Sequence, residues 1–421
     1  MPHRLVALAV LLITVPASVG CESTGQAGRA DTVAAHLADV RVPGWTPAEL
    51  DAALAYLEDR GAWEDHGRPL AVPKHPAEKY LAGWVIVLDP GHGGRGDVPG
   101  YKMGPTGVRE AEMNLRVAYL LRKLLEDAGA YVTLTREGEV SEAADDRLED
   151  THQRRADVAN TLDRPDGGVG ADLFISLHHN ASSRPGANYP SVWFHGEADW
   201  AEPSLDAAKY VGHRIGAELR CYEVGLTSVL MSDQQMYPKG FAVLRHARVP
   251  AFLTESSFFT DPDEEQRLRD AYYNLREAYA IYTGLVEYAY GGRPTQTLPE
   301  VRLVGTELVI STTITESLPE WWGHERQRTL GSTIAVYVQG QRVAAEFDPA
   351  TKTVVAKEAV WADLAEAGPF ELRIHHANLY KHHNWPQRYT VEFDAQGKAT
   401  VTPTRQPYAG EAEPSTADAA G

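Results

Sequence analysis

Short apolar runs alternate with stretches of helical spacing over the middle of the chain. Val85–Leu88 is a continuous apolar run, which predicts a strand that is covered on both faces. Asp89–Gly91 ends this strand, because proline cannot extend a strand ladder and glycine accepts turn conformations. Further strands are predicted at Tyr131–Thr135, Leu173–His178, Ser191–Phe194 and Ala251–Ser256.

Helices are predicted between these strands, where apolar residues recur three and four positions apart. One helix is predicted over Glu110–Gly129, which the glycine ends, and a long one over Asp261–Tyr290, which the aspartate caps. The other predicted helices are Arg154–Leu162 and Pro203–Leu219. This alternation of strand and helix predicts an α/β domain with a mostly parallel sheet flanked by helices.

The first part of the chain has a different pattern. Met1–Gly20 has a basic start, an apolar run and small residues, as in an export signal. Ser18–Cys21 is similar to a bacterial lipoprotein box, which predicts a lipid anchor on Cys21. Asp31–Asp65 has helical spacing, with a capped start at Thr46–Glu49. We therefore expect an exported protein of the periplasm or cell envelope, anchored to a membrane by its lipid.

The pattern changes again at Val301, where short alternating runs separated by turn residues begin. These runs predict a smaller, all-β, sandwich-like domain. Its tryptophans could stack on sugars and its paired histidines could bind metal, but we favour tryptophans in the sandwich core and histidines in loops. They are Trp321, Trp322, Trp361 and Trp385, with His375-His376 and His382-His383.

The predicted organisation has six parts. They are a signal peptide of lipoprotein type (1–20), a tether and helical segment (21–80), the α/β domain (81–292), a linker (293–300), a β-rich accessory domain (301–402) and a disordered tail (403–421). The tail is polar and rich in alanine, which disfavours a packed core there.

Charge and cysteine content narrow the range of functions. The formal net charge of −18 argues against non-specific nucleic-acid binding. The chain has two cysteines, Cys21 and Cys221, and no CxxC pair, so no cysteine-based zinc pattern is present. Lipidation of Cys21 would leave no intramolecular disulfide.

Three potential metal ligands lie at the ends of predicted elements. His92 follows the first strand, Glu110 begins a helix, and His178 lies at the carboxyl end of a strand. Two histidines and one carboxylate leave an open position on a tetrahedral zinc ion, as in catalytic sites. Each also has a structural explanation, since the histidines can be satisfied at strand ends and Glu110 can complement a helix dipole.

Glu255 is a fourth candidate, because it lies in an otherwise apolar strand. A buried carboxylate costs several kcal/mol unless it is paired or functional. An unligated glutamate beside a zinc-bound water can take up its proton and pass it to a leaving nitrogen. Spacing alone leaves both the structural and the catalytic interpretation open.

Four ordered blocks of the sequence resemble the signature blocks of a known family. They are LDPGHGG (Leu88–Gly94), GVREAEMNL (Gly107–Leu115), LFISLHHNA (Leu173–Ala181) and PAFLTESSF (Pro250–Phe258). They are similar to those of the zinc-dependent N-acetylmuramoyl-L-alanine amidases, cell-wall enzymes with a phosphorylase/hydrolase-like α/β fold. The resemblance covers about half of the chain, from Trp84 to Tyr290. LTRE (Leu134–Glu137) and RRADVAN (Arg154–Asn160) also follow the family's order.

The resemblance implies that His92, Glu110 and His178 bind Zn²⁺. It also implies that Glu255 is the catalytic glutamate. The implied reaction is hydrolysis of the amide bond between N-acetylmuramic acid and L-alanine in peptidoglycan, during wall remodelling or separation. Two alternatives remain: a zinc peptidase that acts on peptidoglycan stem peptides, and a lipoprotein that binds peptidoglycan without cutting it. The sequence identifies no activator protein.

Two positions depart from the family's pattern. His179 stands where a small residue is usual, and we expect it to add a polar group at the rim of the site. Ser256-Ser257 stands where a threonine-glycine or similar pair is usual, and we expect Ser257 to alter a local turn.

Overall fold

The computed structural model describes residues 62–65, 68–71, 74–184, 186–198, 200–221, 229–316, 329–359 and 368–404. The predicted signal peptide, the lipid site at Cys21, the helix start at Thr46 and most of the predicted tail lie outside these segments. Within the described segments, no helix is both long and apolar enough to cross a membrane.

The first described elements form a hairpin. Strand β1 (Ala62–Asp65) pairs antiparallel with β2 (Arg68–Ala71), with Ala62 opposite Ala71. The predicted helical segment is therefore wrong over its last four residues, and the rest of it lies outside the described residues. The helical pattern is weak here, and four residue pairs between β1 and β2 stabilise the strand conformation instead. Tertiary contacts readily override local propensity.

A six-stranded sheet forms the α/β part of the molecule. Its strands are β3 (Val85–Pro90), β4 (Tyr131–Leu134), β5 (Leu173–Asn180), β6 (Ser191–Phe194), β7 (Val229–Ser232) and β8 (Ala251–Phe258). Their order across the sheet is β4-β3-β5-β8-β6-β7. Strands β4, β3, β5 and β8 are parallel to one another. Strand β6 runs antiparallel to β8, and β7 runs parallel to β6. The prediction of a mostly parallel sheet is confirmed.

Helices cover both faces of this sheet. They are α1 (Glu110–Asp127), α2 (Thr151–Thr161), α3 (Ala201–Leu219), α4 (Ala242–His246), α5 (Pro262–Arg269) and α6 (Ala271–Tyr290). Ile86 and Leu88 of β3 lie in one apolar cluster with α1, α3 and α6. Val87, between them, lies in a second cluster with α2 and α4. Alternate residues of this strand thus face opposite helix layers. Because both faces are buried, the positions Val85–Leu88 of the strand are all apolar.

The long helix predicted over Asp261–Tyr290 is two helices. Asp261 caps α5 as predicted, accepting a hydrogen bond from the Glu264 N–H at 2.9 Å. The chain then breaks at Asp270, whose backbone is extended and whose side chain accepts from the Tyr272 N–H at 2.9 Å to begin α6. Aspartate favours such cap positions because its short side chain competes for backbone donors.

In the described α/β part, strand β7 and helix α4 were not predicted. Strand β7 has four residues and α4 has five. The five residues of α4 are fewer than the roughly 11 or more over which helical periodicity becomes visible.

The strands after the sixth helix form two antiparallel sheets. In chain order they are β9 (Thr295–Gln296), β10 (Glu300–Val304), β11 (Glu307–Thr315), β12 (Ala335–Val338), β13 (Gln341–Val343), β14 (Ala345–Asp348), β15 (Thr353–Ala359), β16 (Phe370–His375), β17 (Arg388–Phe393) and β18 (Ala399–Pro403). One sheet has the order β10-β11-β15-β14, with β9 paired to β11, and the other has β13-β12-β16-β17-β18. Ile310 and Leu372, one from each sheet, share a single apolar core. This confirms the predicted sandwich-like all-β region.

The loop between β16 and β17 contacts the α/β part. Asn378 Nδ2 donates to the Gly291 carbonyl at 2.8 Å, and His382 Nδ1 donates to the Gly292 carbonyl at 2.7 Å. The backbone N–H of His383 donates to Asp206 Oδ2 of α3 at 2.6 Å. The prediction that the paired histidines are loop residues is confirmed for His376, His382 and His383 but wrong for His375, which ends β16. The structure adds that this loop is buried against α3 and the end of α6.

Trp385 corrects the prediction for the tryptophans. It does not lie in the sandwich core but in the apolar cluster that contains Trp200 and Val87 of the α/β part. The alternating pattern of the C-terminal strands could not reveal this, because Trp385 lies in a loop and its partners are distant in the chain. The other three tryptophans lie outside the described residues.

Candidate metal centre

Three side chains meet at the carboxyl ends of the central strands. His92 follows β3, Glu110 is the first residue of α1, and His178 lies near the end of β5. One ligand atom from each lies within 4.8 Å of the other two. In the described part of the chain, no other group of three histidines, cysteines or carboxylates has this arrangement.

The Glu110 carboxylate is the centre of the cluster. It is buried, and its Oε2 lies 3.2 Å from His92 Nε2 while its Oε1 lies 3.0 Å from His178 Nδ1. Burial raises the pKa of Glu110, but the two imidazoles outweigh it and hold the pKa well below its usual range. One nitrogen of each histidine therefore faces an ionised carboxylate, and a divalent cation between them would find two nitrogen donors and one oxygen donor.

The loop that carries His92 is tightly packed against β5. A side chain at Gly91 would place its Cβ 2.2 Å from Cε1 of His178, so any larger residue there would displace the His178 ring. His92 itself has a φ of 62°, in the left-handed region that non-glycine residues rarely adopt. The glycines of the DPGHGG block thus allow His92 and His178 to approach each other.

Two buried arginines brace this loop. Arg136, from the LTRE block, donates to the carbonyl oxygens of Pro90 at 2.9 Å and Gly91 at 3.0 Å. Arg155, from the RRADVAN block on α2, donates to the His92 carbonyl at 2.8 Å and to Asp89 Oδ1 at 2.8 Å. These two sequence blocks therefore position the metal-site loop.

Asp146 holds the far side of the His92 ring. Its Oδ2 lies 3.2 Å from His92 Nδ1 and accepts a hydrogen bond from the Tyr101 hydroxyl at 3.1 Å. An N–H at Nδ1 that donates to a carboxylate leaves Nε2 free to bind a cation. Burial lowers the pKa of His92, but Glu110 and Asp146 together raise it to about 9. Sequence reasoning missed Asp146 and Tyr101, because no motif marks the loops in which they lie.

His179 is buried and does not lie at the rim of the site, so that prediction is wrong. Its Nδ1 lies 2.9 Å from Asn114 Oδ1, and its Nε2 lies 3.0 Å from Glu277 Oε2. Successive residues of a strand point to opposite faces, so His178 and His179 cannot share one environment. His179 faces α1 and α6.

Glu255 lies beside this cluster on the next strand, where it is paired with His178 in the register of β5 and β8. Burial and the nearby Glu110 carboxylate raise its pKa to about 8, against the opposing effect of His179, His92 and Lys102. Its Oε2 is buried and makes no hydrogen bond. A shifted pKa and an unpartnered oxygen are typical of functional carboxylates.

The two serines after Glu255 continue the strand. Ser256 and Ser257 lie within β8, so the prediction of an altered turn at Ser257 is wrong. Both are fully buried, and neither hydroxyl has a hydrogen-bond partner. The irregularity is on the opposite strand, where the β5–β8 register shifts between His178 and Asn180.

A mostly parallel sheet with a His-Glu-His cluster and a separate, partly buried glutamate at its carboxyl edge defines an α/β protein with a candidate catalytic metal centre. The sequence model of one family, described as N-acetylmuramoyl-L-alanine amidase (Amidase_3), matches residues 86–287. The matched segment is an Amidase_3 domain, and it contains all four candidate site residues.

Individual relatives agree with this assignment. The probable cell wall amidase LytH of Staphylococcus epidermidis is 27% identical over 209 residues, which are 49% of this chain and 59% of the relative. The N-acetylmuramoyl-L-alanine amidase AmiA of Escherichia coli is 28% identical over 253 residues, which cover 51% of this chain and 79% of the relative. The chain thus spans less than two thirds of the staphylococcal relative.

Among solved structures, the chain is similar to the N-acetylmuramoyl-L-alanine amidase AmiC2 of Nostoc punctiforme. The TM-score is 0.39 at 24% identity, over 49% of this chain and 97% of that chain.

Proposed function

We propose that this protein is a zinc-dependent amidase that hydrolyses the bond between N-acetylmuramic acid and L-alanine in peptidoglycan. The observation that carries the proposal is the convergence of His92, Glu110 and His178 beside the unpartnered Oε2 of Glu255. The family match, and relatives that are named as cell wall amidases, support the choice of substrate.

The three ligands fit Zn²⁺. Two imidazole nitrogens and a carboxylate oxygen are common zinc donors, and three protein ligands leave a position for water or substrate. The charge of the site also suits a cation, because the buried carboxylate of Glu110 faces one nitrogen of each imidazole. Each of these nitrogens would have to lose any proton that it carries before it could bind the ion. Bound there, Zn²⁺ would supply a Lewis acid for the amide carbonyl and a lowered pKa for water.

The chain's own residues then supply proton transfer and orientation. Glu255 takes up a proton from the attacking water at Oε2 and returns it to the departing amine nitrogen. A nearby cation lowers the pKa of a carboxyl group, which would bring Glu255 from about 8 towards the ionised state that a base needs. Asp146 keeps the His92 ring oriented through Nδ1.

We further propose that the protein is exported and acts in the periplasm or cell envelope, with a lipid anchor at Cys21. The pattern of Met1–Gly20 and the box that ends at Cys21 support this location. Peptidoglycan lies outside the cytoplasm, so location and substrate are consistent with each other.

The test is digestion of purified peptidoglycan sacculi by a soluble form that begins at about Ala30, with and without a chelator. Mass spectrometry of the products decides among the alternatives. We expect free stem peptides with an L-alanine amino terminus, lost on chelation and restored by zinc. Shortened stem peptides still attached to glycan would instead indicate a zinc peptidase. Binding to sacculi without any release or stoichiometric zinc would indicate a non-catalytic binding protein.

A further inference from the structure

A line of three buried polar side chains lies directly behind the candidate metal ligands. Asn114 of α1, His179 of β5 and Glu277 of α6 are each at most 2% exposed. His179 Nδ1 lies 2.9 Å from Asn114 Oδ1, and His179 Nε2 lies 3.0 Å from Glu277 Oε2. Proton transfer at Glu255 does not use any of the three.

The hydrogen bonds of this line have a fixed direction. Asn114 Nδ2 faces the Gly91 carbonyl at 3.2 Å and Glu110 Oε1 at 3.4 Å, and both of these oxygens are acceptors. The amide oxygen of Asn114 must therefore face His179, whose Nδ1–H donates to it. One further proton lies between His179 Nε2 and Glu277, so the His179–Glu277 pair carries no net charge whichever of the two holds that proton.

The near end of the line contacts both parts of the metal site. The backbone N–H of His179 donates to Glu110 Oε1 at 3.1 Å, the same oxygen that Asn114 approaches. Asn114 also donates to the carbonyl of Gly91, the residue before His92. The side-chain amide of Asn114 therefore links the Glu110 carboxylate to the loop that carries His92.

We propose that Asn114, His179 and Glu277 form a positioning unit that holds Glu110 and the His92 loop in metal-binding geometry. The proposal rests on the metal centre proposed above and concerns how that centre is kept in place. A buried ionisable pair contributes little net stability compared with well-packed apolar side chains, so stability alone does not explain why the pair lies here. Groups that orient metal ligands typically change metal affinity about 10–100-fold when they are replaced.

The test compares variants at the remote end of the line, where no residue touches the metal ligands directly. The zinc dissociation constant of the full chain is measured by competition with a chromophoric chelator. We expect Glu277→Leu to weaken zinc binding about 10–100-fold, because His179 and then Asn114 lose their orientation. We expect Glu277→Gln to stay close to wild type, because the amide N–H can donate to His179 Nε2 while Nδ1–H still donates to Asn114.

Tyr282→Phe is the matched control on the same helix. It removes a buried hydrogen bond from α6 to Glu78, away from the metal ligands. We expect it to lower the melting temperature of the metal-free protein but to leave the zinc dissociation constant unchanged. This control separates loss of stability from loss of ligand orientation.

The outcomes distinguish this inference from the proposed function. A wild-type protein without stoichiometric zinc would refute the metal centre itself. A wild-type protein that binds zinc, beside a folded Glu277→Leu variant of equal affinity, would refute only the positioning unit. Should Glu277→Leu fail to fold, the double variant His179→Ala, Glu277→Leu leaves no unpaired buried polar group of the pair, and unchanged zinc affinity in it would also refute the unit.

Discussion

Glu255 combines three properties that ordinary strand residues do not share: a carboxyl group in an apolar strand, a raised pKa and an oxygen without a partner. In Glu255→Gln the amide cannot accept a proton, so we expect turnover of sacculi to fall by about 10²–10⁴-fold. Zinc content, measured by atomic emission, should stay at the wild-type level, because the residue is not among the proposed ligands. Glu139→Gln, at the partly exposed ion pair with Arg109, is the control and should keep its activity. Near-normal turnover in Glu255→Gln would remove this glutamate from the mechanism.

The protonation of His92 predicts how metal binding depends on pH. In the metal-free protein the Glu110 and Asp146 carboxylates outweigh burial and raise the pKa of His92 to about 9. Below that pH a proton competes with the cation, and raising the pH removes the competitor. We therefore expect zinc affinity to increase by roughly tenfold per pH unit from neutral pH and to level off above about pH 9. Chelator competition at several pH values measures this, and a flat profile would contradict the assigned proton.

At the scale of elements, the close approach of β3 and β5 brings the two histidines together. Gly91→Ala would place a methyl group 2.2 Å from the His178 ring, so the ring would have to leave its position beside His92. We expect this variant to fold but to lose stoichiometric zinc, as measured by metal analysis beside circular dichroism. Gly138→Ala is the control, because its Cβ would meet no atom closer than 3.9 Å. Full zinc occupancy in Gly91→Ala would show that the histidines can separate without losing the site.

The break between α5 and α6 allows two carboxylates from one stretch of sequence to contact different parts of the fold. Glu265 of α5 accepts hydrogen bonds from the N–H groups of Thr106 and Val108, in the loop that leads into α1. Glu277 of α6 instead reaches His179. The change of direction at Asp270 separates the two helices that carry these carboxylates.

At the scale of the whole molecule, the β region is attached where α6 ends, beyond the turn of that helix that carries Glu277. Its loop contacts Gly291 and Gly292 after α6, whereas Glu277 approaches the centre from an earlier turn of that helix. Thirteen residues of helix separate Glu277 from Tyr290, or about 20 Å at the usual rise per residue. The contacts of this loop with the end of α6 therefore lie about 20 Å along that helix from Glu277.

A chain that ends at Pro294 tests how far the two regions depend on each other. The sequence predicts that such a chain folds and binds zinc by itself. The structure adds that it would expose the partners of His382, His383 and Trp385, so we expect a lower melting temperature than for the full chain. Each kcal/mol lost corresponds to roughly 2–4 °C for a domain of this size. Calorimetry of both zinc-loaded forms measures the difference, and an insoluble product would show that the β region is part of the core.

The sequence by itself determined the α/β class, the β-rich C-terminal region and the set of candidate ligands. Strands covered on both faces read as apolar runs, and the polar residues at their carboxyl ends are visible without any knowledge of packing. His92, His178 and Glu255 lie at such ends or within such runs, and Glu110 begins a predicted helix.

Only the tertiary structure decided which distant residues contact these candidate ligands and their neighbours. Asp146 is 54 residues from His92, and Glu277 is 98 residues from His179, and no local spacing connects either pair. Their contacts follow from the order of strands in the sheet and from which helix covers which face. The same reason accounts for Trp385, which packs against α/β residues that are remote in the chain. Local pattern fixes which residues are polar or buried, whereas the meeting of distant residues depends on the packing of the whole fold.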